Sequence, residues 1–305
     1  MIVVQRAPAY ATIQDLGRPG FRASGVPGCG AMDPFALATL NILVGNDRGD
    51  AGFELALTGG IFVFDTPAVF AFGGAEASAR LAGRNVETYR AHRAAQGEML
   101  TIENPSAGRF LYIAVGGGIN VEPVLGSRST YLPGGFGGLS GRRLKAGDVL
   151  SVGARTSSHK HQVADSLPQK LRPPFGTTEV RFIPRTDVDP DEIAGVYQLS
   201  PSSDRTGYRL DGNPRTGGAS ITSEPVCPGV IQLPTGGEPI VLMADAPTVG
   251  GYRVAGGVIS ADLGLLAQKN PAERVELVPI SIEKAQRELE RLVEIESLIE
   301  EWCLS

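Results

Sequence analysis

The chain has 305 residues, 42% of them apolar and 20% charged, with a net charge of −5. That is enough for a sizeable core in one large domain or two ordinary ones. The acidic balance leaves no global basic footprint, which argues against nucleic acid as a partner. Glycine is the outlier, with 40 residues beside 22 prolines and no collagen-like period, and it points to many tight turns between short strands.

In chain order, the opening MIVVQRAPAY is too poor in apolar residues for a signal peptide, and no apolar run reaches membrane-spanning length. A cytoplasmic protein without a membrane partner is the expectation. The run TIQDLGRPG (12–20) packs Gln14, Asp15 and Arg18 around two glycines and a proline, more polar chemistry than a turn needs. DPFALATLNILVG (33–45) predicts a helix with Asp33 as N-cap, Pro34 at its first position and Gly45 as its stop. Strands are predicted over 61–65, 68–72, 110–115, 149–152, 179–183, 239–243 and 274–278, where β-branched and aromatic residues lie between turn signals. SADLGLLAQ (260–268) predicts a second helix with Ser260 as a possible cap. Residues 281–302 lack Gly and Pro and place Ile282, Ala285, Leu289, Leu292, Ile299 and Trp302 at helical spacing, which predicts a tail helix on its own domain or, alternatively, a dimer helix.

Two sets of echoes suggest related halves. Residues 95–102, 145–152 and 271–278 each join a polar turn to an alternating strand, and QDLGRPGFR (14–22) resembles SDRTGYR (203–209). The polar stretch 154–176, ending near a Pro-Pro, is the expected seam. Its His159 and His161 flank a lysine with no acid or cysteine nearby, the pattern of a solvated linker rather than a metal site. Cys29, Cys227 and Cys303 are too far apart for metal spacing and read as reduced thiols. The expected domains are 1–155, a linker over 156–178, a second domain over 179–280 and the helix over 281–305.

The sequence has no P-loop, no G-x-S-x-G elbow and no H-E-x-x-H, and only three histidines. Polar work therefore falls to Asp, Arg, Ser, Thr, Tyr, Gln and backbone N–H groups. Five glycine-rich clusters offer them: 12–20, 28–34, 116–138 with Ser127, Arg128, Ser129 and Thr130, 202–210 with Asp204, Arg205, Tyr208 and Arg209, and 244–253 with Asp245, Thr248 and Tyr252. Any one of them is explained as an Asp-stabilised turn, whereas five together could line an anion-receptive cleft.

TIQDLGRPGF, GAMDPFAL, GGINVEPVLGSRSTYLPGGFGG, SDRTGYRL and PIVLMADAPTVGGY, in this order, resemble the allophanate hydrolase subunit 2 family, whose members include a 5-oxoprolinase subunit and half of the carboxyltransferase domain of urea carboxylase. The resemblance covers Thr12 to Val278. It implies a mainly β fold of two tandem cyclophilin-like β-barrel domains with a few short helices and a C-terminal helix. It implies an ATP-dependent amidohydrolase subunit acting on a small amide, with 5-oxoproline to glutamate as the best guess. ATP would be bound through the assembled complex. The implied partners are an allophanate hydrolase subunit 1 family protein and a LamB/YcsF family protein, with a homo-oligomer as a further possibility. Two alternatives stay open: a carboxyltransferase half that receives carboxybiotin, and a regulatory protein that antagonises a kinase inhibitor. For the site, the resemblance suggests Asp15, Asp245 and Arg128 as catalytic residues. Gln14, Arg18, Ser127, Ser129, Arg205, Tyr208, Arg209, Thr248 and Tyr252 would bind substrate. Arg18, Arg128 and Arg209 would hold an anionic group, Asp15 or Asp245 would orient an amide or act as base, and turn N–H groups in 116–118 or 134–138 would face an oxyanion.

Overall fold

The computed structural model describes residues 1–154, 166–172, 176–212 and 220–304. His159, His161 and most of the expected linker lie outside the described residues. The chain forms two compact units: Met1–Arg18, Asp33–Pro173 and Glu294–Ser305 make the first, Pro19–Met32 and Pro174–Val293 the second. Among the described residues no helix is long and apolar enough to cross a membrane.

The first unit runs β1 (Ile2–Arg6), β2 (Ala11–Gln14), α1 (Pro34–Val44), β3 (Gly52–Ala56), β4 (Ile61–Phe64), β5 (Ala68–Glu76), β6 (Ala79–Leu81), β7 (Arg84–Val86), β8 (His92–Ala94), β9 (Met99–Ile102), β10 (Ala107–Val115) and β11 (Val149–Leu150). The strands form two sheets, in the orders β11-β1-β4-β9-β6-β7 and β2-β3-β10-β5-β8. Phe53 of one sheet meets Phe62 of the other at 5.1 Å, and Phe64 stacks on Phe70 at 5.0 Å, so the aromatic core lies between them. Helix α1 packs on β5 and β10 and buries every residue from Ala36 to Val44. Asp33 caps it by accepting from Ala36 N at 3.1 Å, and Gly45 ends it at φ 77°. Asp33→Ala is expected to cost about 1 kcal/mol in urea denaturation, with Asp33→Asn recovering most of it.

The second unit runs β12 (Glu179–Pro184), β13 (Gly195–Leu199), β14 (Gly207–Asp211), β15 (Ser220–Pro225), β16 (Val230–Leu233), β17 (Ile240–Leu242), β18 (Val249–Val258), α2 (Ser260–Ala267) and β19 (Arg274–Pro279). Its sheet order β12-β19-β13-β14-β17-β16-β18, with a further β12–β18 pairing, closes a seven-stranded barrel, and β15 adds to the free side of β18. Closure depends on Gly256, where a Cβ would fall 2.5 Å from the Ile183 carbonyl oxygen. Val180, Phe182, Leu199, Leu210, Val241 and Leu277 are buried in the core. Ser260 does not cap α2: the N-cap residue is Ile259, with no side-chain bond. The first turn instead carries Asp262, whose carboxylate is held by Arg181 at 2.7 and 2.9 Å. The tail helix α3 spans Ile282–Leu304. In its first half Arg181 also reaches Glu288 at 3.2 Å; in its last turns, grouped with the first unit, Arg48 bonds Glu296.

The units depart from a simple division at 155 and 179, because residues 19–32 pack with the second. Arg22 donates to the carbonyls of Val226 and, at 2.8 Å, Pro247, and the Gly30 carbonyl accepts from Arg205 at 2.6 Å.

Candidate active site

Strand β2 delivers the first polar cluster. Gln14 ends the strand and Asp15 follows it into a turn opposite residues 127–130. Thr130 extends the pairing, its N–H and hydroxyl both donating to the Ile13 carbonyl at 2.9 Å. This register places Asp15 over the SRS segment. The Asp15 carboxylate accepts from Gly17 N at 2.7 Å, Ser127 Oγ at 2.7 Å, Arg128 N at 2.6 Å and Ser129 Oγ. Ser129 Oγ also accepts from Asp15 N at 3.0 Å. The sequence suggests Asp15 as a base, but its acceptor capacity is taken up here and it is only 7% exposed. Its geometry is that of an organiser that fixes both serines and the turn.

Arg18 differs more from expectation. It is fully buried and donates to the carbonyls of Val124, at 3.4 Å, and Ser129. Its guanidinium carbon sits 5.0 Å from the Phe136 ring centroid. Among the described residues the remaining terminal nitrogen has no partner, and no carboxylate pairs with the group. Gln14 is buried too, donating to Thr12 Oγ1 at 3.1 Å and the Thr130 carbonyl at 3.2 Å, while its Oε1 lacks a donor among the described residues. Arg128 is half-buried and ties its Nε to the Val121 carbonyl at 2.9 Å.

The two candidate oxyanion turns separate clearly. At 116–118 every N–H is taken, by the Val69 carbonyl, Asn46 Oδ1 and the Val115 carbonyl. That turn offers no donor. In 134–138, Gly135, Phe136 and Gly138 donate to Leu132, Tyr131 and Arg128 carbonyls, but Gly137 N–H meets no acceptor among the described residues. This second turn borders an open cavity of about 580 Å³ lined by segments 120–124, 135–141 and 149–151. Sequence reasoning did not single out Phe136, Asn120 or Glu122. The aromatic inside the GGFGG run was the available signal for Phe136.

In the second unit, Arg205 and Asp245 form a buried bidentate pair at 2.8 and 2.9 Å. Asp245 N also donates to the Arg205 carbonyl at 2.9 Å. The pair clamps the two motif loops together. Tyr208 belongs to the core: it is fully buried, and its hydroxyl donates to the Ala267 carbonyl at 2.8 Å. Arg209 follows it on β14 and points outward, exposed, as strand alternation requires. Thr248 contributes its carbonyl to Val226 N at 3.1 Å, and Tyr252 is exposed on β18. Within this unit the candidates thus divide into a structural clamp, a core tyrosine and solvent-facing side chains. Among the described residues no group of His, Cys, Asp and Glu could hold a metal ion.

Comparison with known proteins finds the same overall β architecture. Residues 24–279 match the model of the carboxyltransferase domain, subdomain A and B, and the chain belongs to this family. It is 40% identical over 294 residues to a 5-oxoprolinase subunit of Escherichia coli strain K12, covering 93% of each chain. It is 33% identical to the same-named protein from Haemophilus influenzae, covering 94% of each. Among solved structures, the urea amidolyase of K. lactis superposes with a TM-score of 0.88 at 26% identity, over 98% of this chain but only 20% of that one.

Proposed function

We propose that this chain is a subunit of a multi-protein enzyme that opens 5-oxoproline to glutamate with ATP. The observation that carries this reading is the 40% identity to a 5-oxoprolinase subunit over nearly the whole of both chains. The overall balance is lactam, ATP and two waters to glutamate, ADP and phosphate: one water adds across the amide C–N bond, the other across the phosphoanhydride. This chain has no glycine loop ending in Gly-Lys-Ser/Thr, so ATP is assigned to the complex formed with a subunit 1 family protein and a LamB/YcsF family protein in the cytoplasm. This chain's part is to bind and orient the amide. Asp15 fixes the 127–130 turn, Gly137 N–H supplies a donor toward charge developing on oxygen, and Arg18 sets a positive field behind it.

A second reading, a carboxyltransferase half receiving carboxybiotin, draws on the family match and the likeness to urea amidolyase. Reconstitution separates the two. The three proteins with ATP and 5-oxoproline should release glutamate and phosphate, and omission of this chain should abolish both. No glutamate from a stable complex, with carboxyl transfer to urea from carboxybiotin, would replace the first reading by the second.

A further inference from the structure

Residues Val124–Ser127 form a two-residue hairpin beside Asp15. Val124 and Ser127 exchange both backbone bonds, at 2.8 and 3.3 Å. Leu125 and Gly126 between them both have positive φ, 53° and 78°. That is the signature of a type I′ turn, where Asn-Gly is favoured because both residues tolerate the left-handed region. Leucine does not: its Cβ crowds the following carbonyl there, and the backbone is strained. The β6–β7 hairpin makes the same turn with Ala82 and Gly83, at 47° and 81°, so the turn itself needs no more than a methyl group.

Burial does not compensate for this strain, since Leu125 is 41% exposed. A Cβ on Gly126 would meet nothing within 4 Å, so the tip stands clear of its surroundings. The base of the hairpin, by contrast, is held firmly. The Asp15 carboxylate accepts from Ser127 Oγ at 2.7 Å and Arg128 N at 2.6 Å, and Arg18 Nε donates to the Val124 carbonyl at 3.4 Å. Between Asp15 and Arg18, Leu16 is 43% exposed. Two leucines therefore meet solvent on loops that buried polar side chains tie together. A single exposed leucine is ordinary. One kept in a strained turn on a rigid base points to a function that uses it. Shape and charge select the occupant. A hairpin tip is convex and needs a concave counterpart, which a two-fold, tip-to-tip contact with a second copy does not offer. Glu122, on the approach to the hairpin, is exposed. Its charge is repelled by an anionic membrane surface and is complementary to a base on a protein.

We infer that Leu125 is a docking knob for another protein chain, whose matching surface is an apolar socket edged by Lys or Arg. Leu125 enters the socket, Leu16 covers its margin, and Glu122 meets the base. Asp15 and Arg18 keep the hairpin rigid in the free chain, so little order is lost on docking. No bond is made or broken in this step. Under the proposed function the other chain is one of the two further proteins of the complex, and the inference rests on that reading for the partner's identity alone.

The test is assembly of the full chain with the subunit 1 family protein and the LamB/YcsF family protein, followed by calorimetry and size-exclusion chromatography. Leu125→Asn should weaken assembly at least about tenfold, the loss of one buried leucine side chain. The same variant should raise the urea midpoint of the Trp302 signal, which reads the first unit, by about 0.3 M, because Asn relieves the turn. Opposite signs in binding and stability set docking apart from a merely structural role. Leu125→Met, apolar and of similar size, should keep most of the affinity. Glu122→Lys should weaken assembly at low salt and lose that effect in about 1 M salt. Unchanged assembly of Leu125→Asn, or a fall in stability together with assembly, would overturn the knob. So would a wild-type dimer that Leu125→Asn converts to monomer, since the tip would then serve a second copy. Tighter assembly of Glu122→Lys would overturn the basic edge of the socket. A wild-type complex that depends on Leu125 but releases no glutamate would sink the 5-oxoproline reading and keep the contact. Glutamate release from a complex indifferent to Leu125 would do the reverse, and wild type that binds neither protein would remove both.

Discussion

Asp15→Ala is expected to destabilise the first unit by about 3–5 kcal/mol, because it leaves two buried hydroxyls unpaired at about 1–3 kcal/mol each, with a smaller loss at two half-buried N–H groups. Those donors are the hydroxyls of Ser127 and Ser129 and the N–H groups of Gly17 and Arg128. Asp15→Asn keeps one acceptor oxygen and should recover less than half. The chain has one tryptophan, Trp302, which falls in the first unit, so its fluorescence during urea denaturation reads this loss directly. A loss below about 1 kcal/mol would mean that the turn does not depend on the carboxylate.

The second large effect is expected at the Arg205–Asp245 clamp. Both side chains are nearly inaccessible, at 5% and 3%. Removing one partner strands the other as a buried charge, so Arg205→Met or Asp245→Leu should each cost about 3–5 kcal/mol. Replacing both, as Arg205→Met with Asp245→Leu, should recover much of that, since the double variant leaves no orphaned charge. Circular dichroism during urea denaturation of the four proteins gives the coupling energy. Single losses that simply add in the double variant would show that the two residues act independently.

Helix α1 was legible because cap, proline and stop all occur at their proper places around an apolar run. Strand β10 was legible in FLYIAV for its aromatic and branched content, and the tail helix in its uninterrupted periodicity. Strand β3 was not, because GFELA contains Glu54, a carboxylate that is fully buried and accepts from the Tyr112 hydroxyl at 2.9 Å. A binary pattern reads such a residue as outward-facing. Strand β18 was hidden by its four glycines, which read as turns although Gly256 is needed where the barrel closes. Tyr208 stood among polar neighbours and read as a ligand group, but period-2 alternation with Leu210 sends it inward and Arg209 outward. The contact of Asp15 with Ser127 and Ser129 spans more than a hundred residues of sequence; local pattern offered only a cleft shared by all five glycine-rich clusters, without saying which side chains meet. Burial of Arg18 has no signature at all in the local sequence, since Gly-Arg-Pro-Gly is ordinarily an exposed turn.

The claim that the cluster around Asp15 and Arg18 serves the reaction is tested most directly by the steady-state rate of the reconstituted complex carrying Arg18→Met, with assembly verified by size-exclusion chromatography. The predicted result is a fall in kcat/KM for 5-oxoproline of roughly a hundredfold, the usual cost of removing a positioned charge that stabilises the transition state. An assembled complex that turns over 5-oxoproline at the wild-type rate without the Arg18 charge would contradict it.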